Sequence, residues 1–337
     1  MKPTLMNRLL ATTALATTLL MTAPAHAAGP SSVFIFGDSL SDTGNIGLLL
    51  GAPTGVPQVI TGNTYIPGAP YLPNGTFSNG PVWATSFAAA LGQSAIPALT
   101  PGGTNFAFGG ARMATDGPGL PPSLSNQVTS FLGGTGGVAP SSALYVVAGG
   151  GNDLRDAASA LAVPGLSFAQ QLAIFSGAAS RYATDVGAIV DRLQAAGASN
   201  IIVWNAPDVG LTPAARAFGP TAQFTSTTLA TLMNDALSYR MQGEAGVTVF
   251  DVFGALNSIV ANPFAYGLSN VTQACGFAGN LCSPATALFW DGIHPTAAGH
   301  QLLSNAMLAV VAIPEPETVW MFAIGLAGLL AWRRRRA

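Results

Sequence analysis

Val33-Phe34-Ile35-Phe36-Gly37-Asp38-Ser39-Leu40-Ser41-Asp42 is the stretch that decides how the rest of the chain is read. Four apolar residues in a row read as a buried strand, and Gly37 breaks it. Ser39 is then held where the chain turns off the end of a rigid element. A serine hydroxyl attacks usefully only when a base and an oxyanion site are fixed around it, and a strand end supplies that support.

The chain has 337 residues, long enough for a substantial core without help from disulfides. Hydrophobic residues make up 49% and charged residues only 8%, which excludes a disordered composition. Lys2 is the sole lysine, and the basic cluster Arg333 to Arg336 sits at the C-terminal end, so nucleic acid is not an expected partner. Between the two ends the charge is mildly acidic, which suits an exported soluble protein with no polyanionic partner.

Lys2 and Arg8 precede an apolar run from Leu9 to Met21, and Ala25-His26-Ala27 follows as a small-x-small cleavage site. Residues 1–27 therefore read as a secretory signal peptide, to be removed by signal peptidase; an uncleaved anchor is the alternative. At the other end, Pro314-Glu315-Pro316 leads into an apolar stretch from Val319 to Trp332 and then four arginines. That stretch is shorter than the ~20 residues that cross a bilayer comfortably. The segment 313–337 resembles the PEP-CTERM sorting signal of Gram-negative bacteria. The resemblance implies transient anchoring of the apolar segment, as a transmembrane helix, in the inner membrane. It further implies removal by an exosortase-type enzyme and delivery to the cell surface or beyond, a plain tail anchor being the alternative.

Cys275 and Cys282 are the only cysteines. In an exported protein this short spacing reads as a local disulfide, pinning the loop that leads to Asp291. A structural zinc site is the rival reading, but two cysteines without an adjacent histidine do not complete one.

Along the chain, helices are expected at 81–91, 168–196, 225–242 and 296–311, and strands at 104–108, 144–148, 201–204 and 247–250. The Gly- and Pro-rich segments 47–80 and 115–140 read as surface loops, the second with one helical turn at most, and as the walls of a pocket. Strands alternating with helices give βαβ units, hence one α/β domain over 28–312, with a mostly parallel sheet covered by helices on both faces. In such a sheet, chemistry belongs at the C-terminal ends of the strands.

Beyond the leader the chain has two histidines, so a base for Ser39 is nearly forced. His294 follows Asp291 by three residues, a spacing that lets the carboxylate hold one imidazole nitrogen while the other faces the serine. His300 falls inside a helix without a neighbouring acid and reads as structural. Oxyanion donors are offered by two strand ends, Gly109-Gly110 and Gly150-Gly151-Asn152-Asp153. The plainer reading of both is an ordinary turn, with Asn152 as a helix cap. A Gly-x-Ser-x-Gly elbow is excluded because position 41 is serine; no phosphate-binding loop or metal-ligand cluster is present, and no cofactor is expected.

Taken together, Phe36-Gly37-Asp38-Ser39-Leu40-Ser41-Asp42, Asn105-Phe106-Ala107-Phe108-Gly109-Gly110, Gly150-Gly151-Asn152-Asp153 and Phe289-Trp290-Asp291-Gly292-Ile293-His294-Pro295-Thr296 resemble, in order, the conserved blocks of the GDSL, or SGNH, serine hydrolases. The resemblance implies a single flavodoxin-like domain and an esterase or lipase activity. It implies Ser39 as nucleophile, His294 as base and then acid, and Asp291 as its orienting partner. The oxyanion hole would be formed by the Ser39 N–H, the Gly110 N–H and the Asn152 side chain. Gly110 rather than Gly109 is assigned by its position relative to Asn105. The implied partner is an ester: a lipid, a small ester or an acetylated glycan. The alternative from another class is a surface-attached binding or matrix protein that keeps the fold without the chemistry.

Overall fold

The computed structural model describes residues 29–311 apart from 52–54, 118 and 120, together with position 325. The expected leader and, but for that one position, the sorting tail lie outside the described residues, among which no helix is long and apolar enough to cross a membrane. Strands β1 (Val33–Gly37), β2 (Leu144–Ala148), β3 (Ile201–Trp204) and β4 (Val247–Phe250) form a parallel sheet in the order β1-β2-β3-β4. Register pairs Gly37 with Ala148 and Trp204 with Phe250.

The expected strand at 104–108 runs along the free edge of β1. Ile35 N donates to Thr104 O at 3.1 Å, Phe106 N to Ile35 O at 2.7 Å and Phe108 N to Gly37 O at 3.1 Å. It is a fifth strand by bonding, although its regular pairing with β1 is confined to Asn105 opposite Ile35. Its outer edge is covered by the 96–98 segment, with Asn105 N donating to Ile96 O at 2.9 Å and Ala98 N to Asn105 O at 2.7 Å, and by Asn45 Nδ2, which donates to the carbonyls of Asn105 and Ala107 at 2.8 and 2.9 Å. An edge capped in this way cannot recruit another strand. The resulting order, 104–108 then β1 to β4, is the flavodoxin-like arrangement.

Alternation along the strands divides the core in two. Phe36, Tyr145, Val147, Ile201 and Val203 face one side, packed by α3 (Leu124–Gly134), α4 (Gly151–Leu161), α5 (Phe168–Ala195) and α7 (Pro220–Arg240). Val33, Ile35, Val146, Ile202, Trp204 and Phe250 face the other, packed by α2 (Trp83–Ala90), α8 (Val252–Ala261) and α9 (Ala297–Val311). Each fully buried side chain of this size contributes about 1.5–3 kcal/mol, so the two layers together fix the strand ends on which the site is built. The short helices α1 (Asn45–Leu49) and α6 (Pro213–Ala217) and a two-stranded ribbon, β5 (Asn270–Ala274) with β6 (Ala287–Phe289), complete the domain.

Several of these elements depart from the sequence reading. Helix α3 replaces what was expected to be loop: Ser123 Oγ caps it by accepting from Asn126 N, and Leu124, Val128 and Phe131 share its buried face. Its signal is diluted by the glycines and prolines on either side. Helix α4 begins directly at Gly151, because Gly150 at φ 102° makes the sharp turn off β2. Helices α1, α6 and α8 and the β5–β6 ribbon also lie outside the helices and strands expected above. The Cys275–Cys282 disulfide is present. Cys275 N donates to Phe289 O and Gly276 N to Trp290 O, so this loop is stitched to the segment entering Asp291.

Candidate active site

The turn after β1 is over-determined. A buried glutamine from α3, Gln127, takes both polar groups of Gly37, accepting from its N–H and donating to its carbonyl, each at 2.8 Å. A Cβ at Gly37 would lie 2.7 Å from Ala148 O and 2.8 Å from Ser41 Oγ, so only glycine fits. The Asp38 carbonyl then accepts from Ser41 N and Asp42 N, and its carboxylate accepts from Leu40 N. Asp42, wholly buried, receives four backbone N–H groups: Gly44, Asn45, Ile46 and Gly109. Burial pushes the carboxyls of Asp38 and Asp42 up to about 6, against the pull of these donors.

Ser39 sits on this turn, 7% exposed, with Oγ 2.9 Å from His294 Nε2. His294 Nδ1 lies 2.7 Å from Asp291 Oδ2. The three-residue spacing works because the turn closes on itself: Asp291 Oδ1 accepts from Ile293 N and His294 N, and Trp290 N donates to His294 O. Gly292 is required at its tip, where a Cβ would lie 2.7 Å from Tyr65 O. Thr296 then caps α9, its Oγ1 accepting from Gly299 N while donating to Ala287 O.

One further partner could not be found from spacing. Tyr71 donates its hydroxyl to Asp291 Oδ2 at 2.8 Å, the same oxygen that holds the imidazole. Tyr71 and Asp291 are both fully buried. Burial and the neighbouring carboxylate raise the Tyr71 pKa, keeping it a donor. The tyrosine comes from the loop expected to wall the pocket, and it stands behind the acid instead.

The two expected donor strand ends are both close by. Gly109 N–H is committed to Asp42, whereas Gly110, at φ 83°, offers an N–H without an acceptor among the described residues. Ser39 N–H is likewise unengaged. Asn152 is the second residue of α4, not its cap; one Nδ2 hydrogen is held by Ala111 O at 2.9 Å, leaving the other available. Gly110 does not itself line the cleft and is tied to it through Ala111.

The cleft is lined by Ser39, His294 and Asn152 and by an apolar wall that includes Leu40, Val209, Val252, Leu256 and Ile293. This corrects the expectation that segments 47–80 and 115–140 form its walls: they come from the turns after β3 and β4 and from the Phe289–Pro295 segment. The loops are instead engaged behind the site, as Tyr71 and Gln127 show. His300 is buried in α9 with both ring nitrogens unpartnered among the described residues. Burial lowers its pKa to about 3. No group of three residues suited to hold a metal occurs among the described residues.

Comparison with known proteins follows the same lines. Residues 33–307 match the GDSL-like Lipase/Acylhydrolase family, and residues 312–336 match the PEP-CTERM protein-sorting motif, which implies export and exosortase processing. Esterase EstA of Pseudomonas aeruginosa is 31% identical over 89% of this chain and 50% of its own length. A GDSL esterase/lipase of Arabidopsis thaliana is 27% identical over 82% of this chain and 85% of its own. The chain thus spans about half the length of its Pseudomonas relatives. Among solved structures, phospholipase A1 from Streptomyces albidoflavus superposes with a TM-score of 0.44 at 18% identity, covering 84% of this chain and 99% of that one. With a family match running from β1 into α9, the chain belongs to the GDSL-like lipase/acylhydrolase family.

Proposed function

We propose that this protein is an exported serine hydrolase that cleaves carboxylic esters through an acyl-enzyme on Ser39. The observation that carries the reading is the unbroken chain from Ser39 Oγ to His294 Nε2, 2.9 Å, and from His294 Nδ1 to Asp291, 2.7 Å. In the first step Ser39 Oγ bonds to the ester carbonyl carbon as His294 Nε2 takes its proton. The carbonyl oxygen becomes an oxyanion, received by the N–H groups of Ser39 and Gly110 and by Asn152 Nδ2. The intermediate collapses by expelling the alcohol, which collects its proton from His294. Water then adds to the acyl carbon with its proton passing to His294, and Ser39 leaves with that proton, releasing the acid. Asp291 holds the imidazole in one tautomer and stabilises the imidazolium without taking its proton.

The apolar wall of the cleft supports an acyl chain as the group it receives. Residues 28–312 form the catalytic domain in this reading. It lies between a leader removed by signal peptidase and a tail that anchors transiently in the inner membrane before exosortase processing. Turnover of a short-chain nitrophenyl ester tests the assignment: Ser39→Ala is expected to abolish it in a folded protein, and retained turnover would sink the proposal.

A further inference from the structure

We propose that Arg155 is an anion-recognising residue of this cleft, and that the physiological substrate is an ester carrying a phosphate or carboxylate beside the scissile bond. This deepens the hydrolase reading and rests on it. Arg155 lies in α4, one turn beyond Asn152, and lines the same cleft as Ser39 and His294. It is partly buried, and among the described residues it has no carboxylate within ion-pair distance.

The acids around it are engaged elsewhere. Its chain neighbour Asp156 is held in a fork by Arg112, whose Nε and Nη2 each lie 2.9 Å from one oxygen. Asp208, on the opposite wall, accepts from Gly210 N, Thr227 Oγ1 and Asn257 Nδ2. Asp38 accepts from Leu40 N. Among the described residues the one hydrogen bond of the Arg155 side chain is a long one, 3.4 Å, from Nη1 to Asn152 Oδ1. Ser159, at the i+4 position where an acid would make a helical ion pair, donates to the Arg155 carbonyl instead.

A guanidinium taken partly out of water without a charged partner costs free energy, and here burial lowers the Arg155 pKa while Asp156, Asp291 and Asp38 act on it only from a distance. Such a group, in a cleft whose two lining acids, Asp38 and Asp208, accept from other donors, has an unmet preference for a planar, bidentate anion. The alternative within the fold is that Arg155 serves only to orient the Asn152 amide. That role would affect every ester alike, whereas an anion subsite affects only charged ones.

The test is the ratio of kcat/KM for an anionic ester to that for its neutral counterpart, measured in wild type, Arg155→Gln and Arg155→Lys, with folding checked by thermal melts. The carboxylate pair is mono-4-nitrophenyl glutarate against 4-nitrophenyl pentanoate. The phosphate pair is monomeric dihexanoyl phosphatidylglycerol against dihexanoylglycerol. Loss of a charge-assisted hydrogen bond is expected to lower the ratio about tenfold or more in Arg155→Gln, with part of it kept in Arg155→Lys. A fall confined to one pair supports the proposal and assigns that anion. A ratio unchanged in both pairs, including an equal loss on charged and neutral esters, overturns it. Absence of turnover of all four esters by folded wild type overturns the hydrolase reading itself, and this inference with it.

Discussion

Tyr71→Phe removes one oxygen from the site and leaves everything else its size and shape. The ring keeps its edge contact with Trp290, centroids 6.3 Å apart, so packing is conserved. What is lost is one of four hydrogen bonds to the buried Asp291 carboxylate. Oδ1 stays fixed by two backbone N–H groups of its own turn. Oδ2, the oxygen that positions His294, is left with the imidazole as its only partner, and both members of that pair can then swing together. A hydrogen bond to a charged group is worth about 1.5–3 kcal/mol, part of which relaxation recovers. Taking about 1–2 kcal/mol at the transition state gives a fall in kcat of roughly 5–30-fold. Because Tyr71 does not line the cleft, KM is expected to stay nearly constant. Steady-state kinetics on a neutral nitrophenyl ester, beside a thermal melt, measure both. An unchanged kcat would show that the two backbone donors suffice to hold the acid. A raised KM at constant kcat would show that the loop shapes the substrate site instead.

Asn152→Ala is expected to lower kcat by about 10²–10³ with little change in KM, the signature of a donor that acts on the developing oxyanion; a change confined to KM would remove it from that role. His300→Leu separates an acid-sensitive element of the fold. The folded His300 pKa is about 3, below the ordinary 6.5, so the unfolded chain takes the proton first. The stability contributed by neutral His300 is complete above 6.5 and is lost as pH falls toward 3, at up to about 1.4 kcal/mol per pH unit. Asp38, Asp42 and Asp153, each raised to about 6 by burial, act in the opposite sense: their protonated forms suit the fold, and that contribution is lost as pH rises from 3.8 through about 6. They are common to both proteins and cancel in the difference, so the melting-temperature gap between variant and wild type should widen from pH 7 to pH 4. A gap independent of pH would contradict the assignment.

Much of the site was legible because its key parts are local in sequence. Gly37-Asp38-Ser39 announces a strand end, and Asp291 and His294 share one turn whose own amides hold the acid. The parts that were not legible act across the chain. Tyr71 meets Asp291 over 220 residues, and Gln127 grips Gly37 over 90; neither contact leaves any periodicity or spacing to read. The cleft walls were misplaced for a related reason. Long Gly- and Pro-rich loops attract attention, yet the turns after β3 and β4 do the lining, because every strand of a parallel sheet delivers its C-terminal end to the same edge. Helix α3 was hidden by composition: its apolar spacing at Leu124, Val128 and Phe131 is regular, but the glycines and prolines on either side suggest a loop. At the Gly109-Gly110 pair, assigned by position relative to Asn105, the part that sequence could not show is a buried acid. Asp42 takes the Gly109 N–H, and Gly110 keeps its own.

The most direct test of the account is covalent labelling of the folded protein with a serine-reactive alkyl phosphonate, read by intact mass and peptide mapping. The geometry predicts one adduct per chain, on Ser39 Oγ, formed much more slowly in His294→Ala. No adduct, or an adduct on another serine, would contradict the claim that Ser39 is the nucleophile.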